Sequence, residues 1–360
     1  MRARLSADII VDPGAGPEVT ENTEDGPRTV TSLQEALSLA EDGDKIFLEA
    51  GRYTRAEGWS VTSRVNISGA GAGQCVLVSA GSPTLQICAA RPGEGVATPI
   101  LIQRLQFLNN CDEQSNDNSE VTSSNAAHLY IISPDTVTVK ECLFTGGERR
   151  SGGILIAEEA FYRSLLELEF ENPELLSDSG SGMSDKCLRL FVDFCIFTEC
   201  QRNCCLFSNN QATVIVSNTV MSGCGRLGVS AGEGSSVSLL NCHISDCSLS
   251  CVSADNVSTI NILGSYLSES GGSRVLGKQF NSGIVVTEKS KATVSRSLLR
   301  SHRSAVSVDD ADLVFEENCV MDCGTEDSVT EAGLELEQSA VYISRAGNVV
   351  VRANNFHNCN

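Results

Sequence analysis

The chain has 360 residues, with 26 Lys+Arg against 46 Asp+Glu for a net charge of −20, and it is 41% hydrophobic but only 5% aromatic. That length suffices for one large core or two small ones, while the negative excess repels nucleic-acid phosphate and the few aromatics cannot build a stacking platform for bases. No window holds the roughly 18 to 20 consecutive apolar residues of a membrane span, and residues 1–12 lack the apolar run of a signal peptide, so the expected protein meets no nucleic acid and no membrane and is cytoplasmic, or within that setting nuclear or cytoskeleton-associated.

In chain order, residues 1–28 read as a partly flexible N-terminal extension and residues 29–360 as one domain. Ser32 and Glu35 form a capping box ahead of Leu33, Ala36, Leu37 and Ala40, spaced i, i+3, i+4, i+7, and Gly43 marks the stop. This predicts a short amphipathic helix, suited to covering the open end of a repeat array.

The repeat itself follows. One apolar anchor per unit gives Phe107, Phe144, Phe197, Met221, Ile244, Leu267, Leu299, Val320 and Phe356, at steps of 37, 53, 24, 23, 23, 32, 21 and 36. The basic period is near 23, stretched by insertions. Apolar residues recur seven and five positions before the anchor, as in Val137 and Val139 or Val237 and Leu239, and a small or thiol residue recurs two before it. Alternation of period two is the signature of strand. Three positions after the anchor comes a column of small or polar residues, Cys200, Cys224, Cys247, Ser270, His302 and Cys323 among them, where the chain must turn. A further apolar alternation comes next, as in Gly228-Val229 and Cys251-Val252, and then a polar turn such as Asp255-Asn256 or Gly347-Asn348. No such unit can bury its inward row alone, so successive units stack as coils into an all-β parallel solenoid.

Sixteen cysteines fall mostly at fixed places in this repeat rather than in CxxC pairs. They read as reduced thiols packed in the core of an intracellular protein. Leu33-Gln34-Glu35-Ala36 through Gly43-Asp44-Lys45-Ile46 to Ala50-Gly51-Arg52-Tyr53 resembles the opening segment of right-handed parallel β-helix proteins of the pectin-lyase-like superfamily, and the repeats of residues 127–360 resemble that superfamily's generic coil. The resemblance implies a right-handed parallel β-helix with a short N-terminal capping helix. In setting it is most similar to the intracellular F-box-linked and SHC-binding, spindle-associated β-helix proteins, which bind proteins.

Extra residues beyond one period fall near 112–124, 271–281 and 325–338, all after the turn that follows the anchor, and at 158–186, after the next turn. Segments 112–124, 158–186 and 325–338 hold 17 of the 46 acids, against Arg163 and Lys186 alone. Segment 158–186 also carries the apolar stretch Phe161, Tyr162, Leu165, Leu166 and Leu168, with Glu169 beside it, too apolar to stay in water. These residues are the expected binding site of a non-catalytic interaction scaffold whose partner is another protein with a basic surface. A second reading is a carbohydrate-active enzyme of polyuronate lyase or epimerase type, acting on a polysaccharide: His243 and Tyr266 fall on consecutive coils just before the anchor, with Arg300 two positions along on the next, within a segment holding seven basic residues and one acid, Glu288. A third is an oligomer joined through the C-terminal coil. Asp309, Asp310 and Asp312 read as turn chemistry. Cys242 and His243 point to opposite faces of a strand and so do not share a metal; no metal and no cofactor is expected.

Overall fold

The computed structural model describes residues 8–14, 27–79, 83–88, 99–109, 127–132, 136–146, 153–156, 188–200, 204–209, 211–270, 282–324 and 339–359. Three parallel sheets run the length of the molecule, of thirteen, eleven and ten strands among the described residues. The chain visits sheet I, sheet II and sheet III in turn, so that one coil reads Ser236–Leu240, His243–Cys247 and Ser250–Ala254. Each strand pairs with its counterpart one coil away, Ser236 opposite Thr259, His243 opposite Tyr266 and Val252 opposite Ile284.

The anchors occupy one file of sheet II in a single register, from Phe107 opposite Phe144 to Val320 opposite Phe356. Two earlier coils join the same file through Tyr53 and Leu77. Phe107, Phe144 and Phe197 stack face to face, with centroids 4.8 and 4.5 Å apart. Core residues from all three sheets form one continuous cluster along the solenoid.

The corners explain how so many short strands turn without clashing. Between sheets I and II one residue in the left-handed region rotates the chain on coil after coil: Glu141, Phe194, Asn218, Asn241, Gly264, Arg296, Glu317 and Ala353. The residue just inside that bend is the small or thiol position of the repeat. It accepts the backbone N–H of the coil before, from Cys195 to Thr219 Oγ1 (3.3 Å), Cys242 to Ser265 Oγ (3.1 Å), Ser265 to Ser297 Oγ (3.2 Å), Ser297 to Asn318 Oδ1 (3.0 Å) and Asn318 to Asn354 Oδ1 (2.8 Å). Polar residues stand in the interior there because they satisfy backbone donors that the bend takes out of the sheet ladder. Asn318 also donates through Nδ2 to the Val294 carbonyl (2.9 Å). Asn318→Ala is therefore expected to cost about 1–3 kcal/mol by orphaning the Ser297 N–H, read as a lower urea midpoint, and Asn318→Ser, which keeps an acceptor, to cost less.

At the N-terminal end the helix spans Leu33–Leu39, with the Ser32 side chain accepting from the Glu35 N–H (3.2 Å) as the capping box requires. Leu33, Ala36 and Leu37 are buried over the end of the core. The helix stops at Ala40, before Gly43, because a tight turn intervenes in which Asp44 accepts from the Glu41 N–H (2.9 Å). Residues 1–28, read from the sequence as an extension, contribute the strand Asp8–Val11. It is inserted in sheet I between Arg28–Val30 and Lys45–Leu48, with Ile9 and Val11 turned into the core.

Candidate functional site

His243 and Tyr266 are register partners on the outer side of sheet II, and their rings lie 4.7 Å apart at a tilt of 36°. Cys242 is buried beside them, its Sγ 3.5 Å from the Val216 carbonyl, so the two neighbours do face opposite ways. Arg300 stands one coil further, opposite Ser268 rather than Tyr266, and its Nε lies 3.3 Å from Asp322. The trio thus consists of a ring pair and a guanidinium already committed to a carboxylate.

That commitment is general along this part of the solenoid. Lys291 faces Asp312 (3.8 Å) and Arg296 faces Glu317 (2.9 Å), each acid standing 21 residues after its base. The basic segment is matched, coil for coil, by an acidic one. The sequence carried the signal in this spacing, which equals the local repeat length from Leu299 to Val320. Asp309 is held by Arg345, which keeps its carboxyl below the usual range, and Asp312 Oδ1 accepts from the Asn348 N–H (2.8 Å). Among the described residues no group of three or more His, Cys, Asp or Glu side chains is placed to hold a metal.

A different surface draws attention on sheet III. Its outward row, in register, is Tyr130, Leu155, Phe207, Ser230, Ser253, Val285, Ser307 and Tyr342. Tyr130, Leu155 and Ala127 form a second apolar cluster, separate from the main core, with Ile132 and Phe207 packed against it. Alternation assigns these side chains to the outside, yet they are apolar. The chain leaves sheet II at Gln106–Asn109 and enters sheet III at Leu129–Ile131 across segment 112–124. It leaves sheet III at Ile154–Ile156 and re-enters sheet I at Arg189–Asp193 across segment 158–186. Segments 271–281 and 325–338 likewise fall between a sheet II strand and a sheet III strand. The four insertions, and with them Phe161, Tyr162, Leu165, Leu166, Leu168 and Glu169, lie outside the described residues; their flanking strands all border sheet III.

Titratable groups inside the solenoid are structural. None of the described cysteines is in a disulfide, and Cys200, Cys205, Cys224, Cys247 and Cys251 are buried where sheet II turns into sheet III. Burial pushes the Cys205 and Cys251 thiols up, which keeps them protonated and unreactive. In the same file Ser270 and His302 meet, Ser270 Oγ 2.7 Å from Nδ1, a pairing that the sequence did not suggest although both occupy the turn column of neighbouring coils. The Ser270 N–H also donates to Nδ1 (3.4 Å), which leaves Nε2 to donate to the Leu267 carbonyl (3.0 Å). His128 Nδ1 accepts from the Gly153 N–H (2.9 Å). Burial lowers both imidazoles to about 4. At the corner between sheets III and I, Asp255 is pushed up to about 6 by burial and then by Glu288 and Glu233 on the adjoining coils.

A family model described as a right-handed beta helix region matches residues 162–282. The chain is a right-handed parallel β-helix. Among solved structures, a pectate lyase is 11% identical over 98% of this chain and 79% of its own, with a TM-score of 0.43. The A-module of a mannuronan C-5 epimerase of Azotobacter vinelandii is 13% identical over 90% of this chain and 93% of its own, with a TM-score of 0.48. A lacto-N-biosidase from Eubacterium ramulus is 10% identical over 98% and 67%, with a TM-score of 0.42. No curated protein matches the chain.

Proposed function

We propose that this β-helix is a non-catalytic interaction scaffold of the cytoplasm, similar in role to the intracellular F-box-linked and SHC-binding β-helix proteins, and that it binds a protein with a basic surface. The observation that carries the reading is the apolar cluster of Ala127, Tyr130 and Leu155 on the outer face of sheet III, between the strands that flank segments 112–124 and 158–186. These three side chains are buried within the chain itself, at 5%, 1% and 8% exposed, so they hold the outer face of sheet III together, and the half-buried Phe207 at their edge, next to segments rich in acid, is what is left for a partner, with the acids steering a basic surface. The enzyme reading draws support from the His243–Tyr266 ring contact. It is weakened by Arg296, Arg300 and Lys291, each of which faces an acid of the next coil. A polyuronate would have to displace those carboxylates before it could be held.

The test compares the wild-type chain with a chain lacking 158–186 and with Phe207→Ser, which installs the residue that Ser230 already supplies one coil on. Proteins cross-linked to the wild type in cells are identified, and the most enriched one with a basic surface is purified and titrated against all three chains. Both variants are expected to keep a strand-type circular-dichroism spectrum and to bind that protein at least about tenfold more weakly, with wild-type affinity falling as salt rises. Equal affinity for all three chains would sink the proposal. Release of unsaturated product from a polyuronate, lost in Tyr266→Phe and Arg300→Ala, would install the enzyme instead.

A further inference from the structure

Where sheet III ends and the chain turns toward sheet I, three successive coils set Asn209, Gly232 and Asp255 one beside the next, each directly after the register partners Ser208, Ala231 and Ala254. The ladder runs on through them, since the Gly232 N–H donates to the Ser208 carbonyl (2.9 Å) and the Asp255 N–H to the Ala231 carbonyl (2.9 Å). Asn209 is only 2% exposed, and its Oδ1 is buried without a hydrogen-bond partner. Native interiors rarely leave such an atom orphaned. A Cβ at Gly232 would lie 2.8 Å from Asp255 Oδ1 and 3.3 Å from Asn209 Oδ1, so the two oxygens reach over the glycine from the coils on either side and converge on the volume that its missing side chain leaves. The φ of Gly232 is not in the left-handed region, so the backbone does not call for glycine here. Charge gathers at the same place: Asp255 is partly buried, and the charged neighbours that act on it, Glu288 and Glu233 on the adjoining coils, are both acids.

We propose that this gap is a site for a hard divalent cation of calcium size, held by Asp255 Oδ1 and Asn209 Oδ1 across Gly232, which ties three consecutive coils together at the corner. Both donors are oxygens, one from a carboxylate and one from an amide, and these are calcium's ligands, at about 2.3–2.6 Å. The two oxygens stand slightly further than that from the centre of the gap, so a small rotation of either side chain closes the distance. Magnesium demands near-ideal octahedral geometry at about 2.0–2.1 Å, which two side chains fixed on separate coils serve poorly. Glu233 and Glu288 add negative charge beside the ion, and water completes its shell. Two protein oxygens make a weak site, with a dissociation constant of about 10⁻⁴–10⁻³ M. The sequence-based expectation of no metal rested on the facing of Cys242 and His243, donors for softer ions. The cradle over Gly232 is a feature between coils, built partly from an amide, and no cluster of acids, thiols or imidazoles announces it.

Calorimetric titration of calcium chloride into the full chain, freed of cations with a chelator and returned to plain buffer, tests the proposal beside Gly232→Ala, Asp255→Asn and Asn209→Asp. Gly232→Ala fills the gap without removing an oxygen, and its new methyl meets only the tips of two side chains, so it is expected to keep a strand-type circular-dichroism spectrum. The wild type is expected to bind calcium more tightly than magnesium or potassium. Gly232→Ala and Asp255→Asn should each weaken that binding at least about tenfold, while Asn209→Asp, which adds a charge at an existing oxygen, should strengthen it about tenfold. Calcium should raise the thermal midpoint of the wild type and of Asn209→Asp but not that of Gly232→Ala. Equal calcium uptake by the wild type, Gly232→Ala and Asp255→Asn would assign the ion to acids elsewhere on the chain and overturn the proposal, as would a wild type that takes up no calcium. An Asn209→Asp chain that melts lower in calcium and binds it no better would show that the Asn209 amide donates an N–H to Asp255 instead, and would overturn it too.

Discussion

Between pH 6.5 and about 4 the folded state is expected to lose roughly 3 kcal/mol for each of His128 and His302, the two histidines buried in the core. In the unfolded chain an imidazole takes up its proton near 6.5, but in the solenoid it must wait until about 4, because burial disfavours the charged form. Across that window the unfolded state binds more protons than the folded state, so stability falls as pH falls and levels off below the folded value. Asp255 works the other way: its folded value of about 6 lies above the ordinary 3.8, so folding is favoured as acid protonates it. Its share is below about 3 kcal/mol, since solvent reaches part of the group. Two histidines against one partly screened carboxyl leave a net loss on acidification. The check is the urea midpoint at neutral and at acid pH for the wild type, His302→Cys and Asp255→Asn. His302→Cys installs the residue that the same file carries at Cys247 and Cys323 and should remove about half of the histidine contribution; Asp255→Asn should make the acid loss steeper. A midpoint that does not move with pH would show that both imidazoles are solvated.

How much of this was legible in the sequence depends on whether a feature repeats along the chain or acts between coils. The anchor file was readable because each member lies at the same place in a period-two pattern, and the register from Phe107 to Phe356 follows it. The helix Leu33–Leu39 was readable from a local cap. The strand Asp8–Val11 was not, because it has four residues and pairs with strands on both sides that the chain reaches only later. Contacts between coils were harder still. Arg296 meets Glu317 across 21 residues while Arg345 meets Asp309 across 36, so no fixed spacing finds both, and only the register shows that the basic segment is matched by acids. The same holds for Ser270 and His302, 32 residues apart. For the site, the apolar cluster of Tyr130 and Leu155 could not be read, because an outward apolar residue looks like an inward one until the strand's facing is fixed.

Phe144→Ala is expected to be among the most destabilising single substitutions in the molecule, at about 3–5 kcal/mol. Phe144 is fully buried between Phe107 and Phe197, its ring within 5° of parallel to both, and the His128 ring lies 6.0 Å away. Removing the ring opens a gap between two aromatics whose positions are fixed by the register of their own strands, Gln106–Asn109 and Ile196–Thr198, so the walls cannot close on it. Two stacking contacts are lost together with the buried area. Phe144→Leu should cost less, because the anchor file accepts leucine elsewhere, at Leu77, Leu267 and Leu299. In a solenoid each coil is stabilised only by its neighbours, so a defect at this coil weakens the link between the N-terminal coils and the rest. Urea unfolding followed by circular dichroism should therefore show a lower midpoint and a shallower slope for Phe144→Ala, as the two halves begin to melt separately. An unchanged slope with the full loss of stability would mean that the solenoid unfolds as one unit in spite of its repeat construction, and a loss below that of Phe144→Leu would remove the aromatic stack from the account of what holds the coils together.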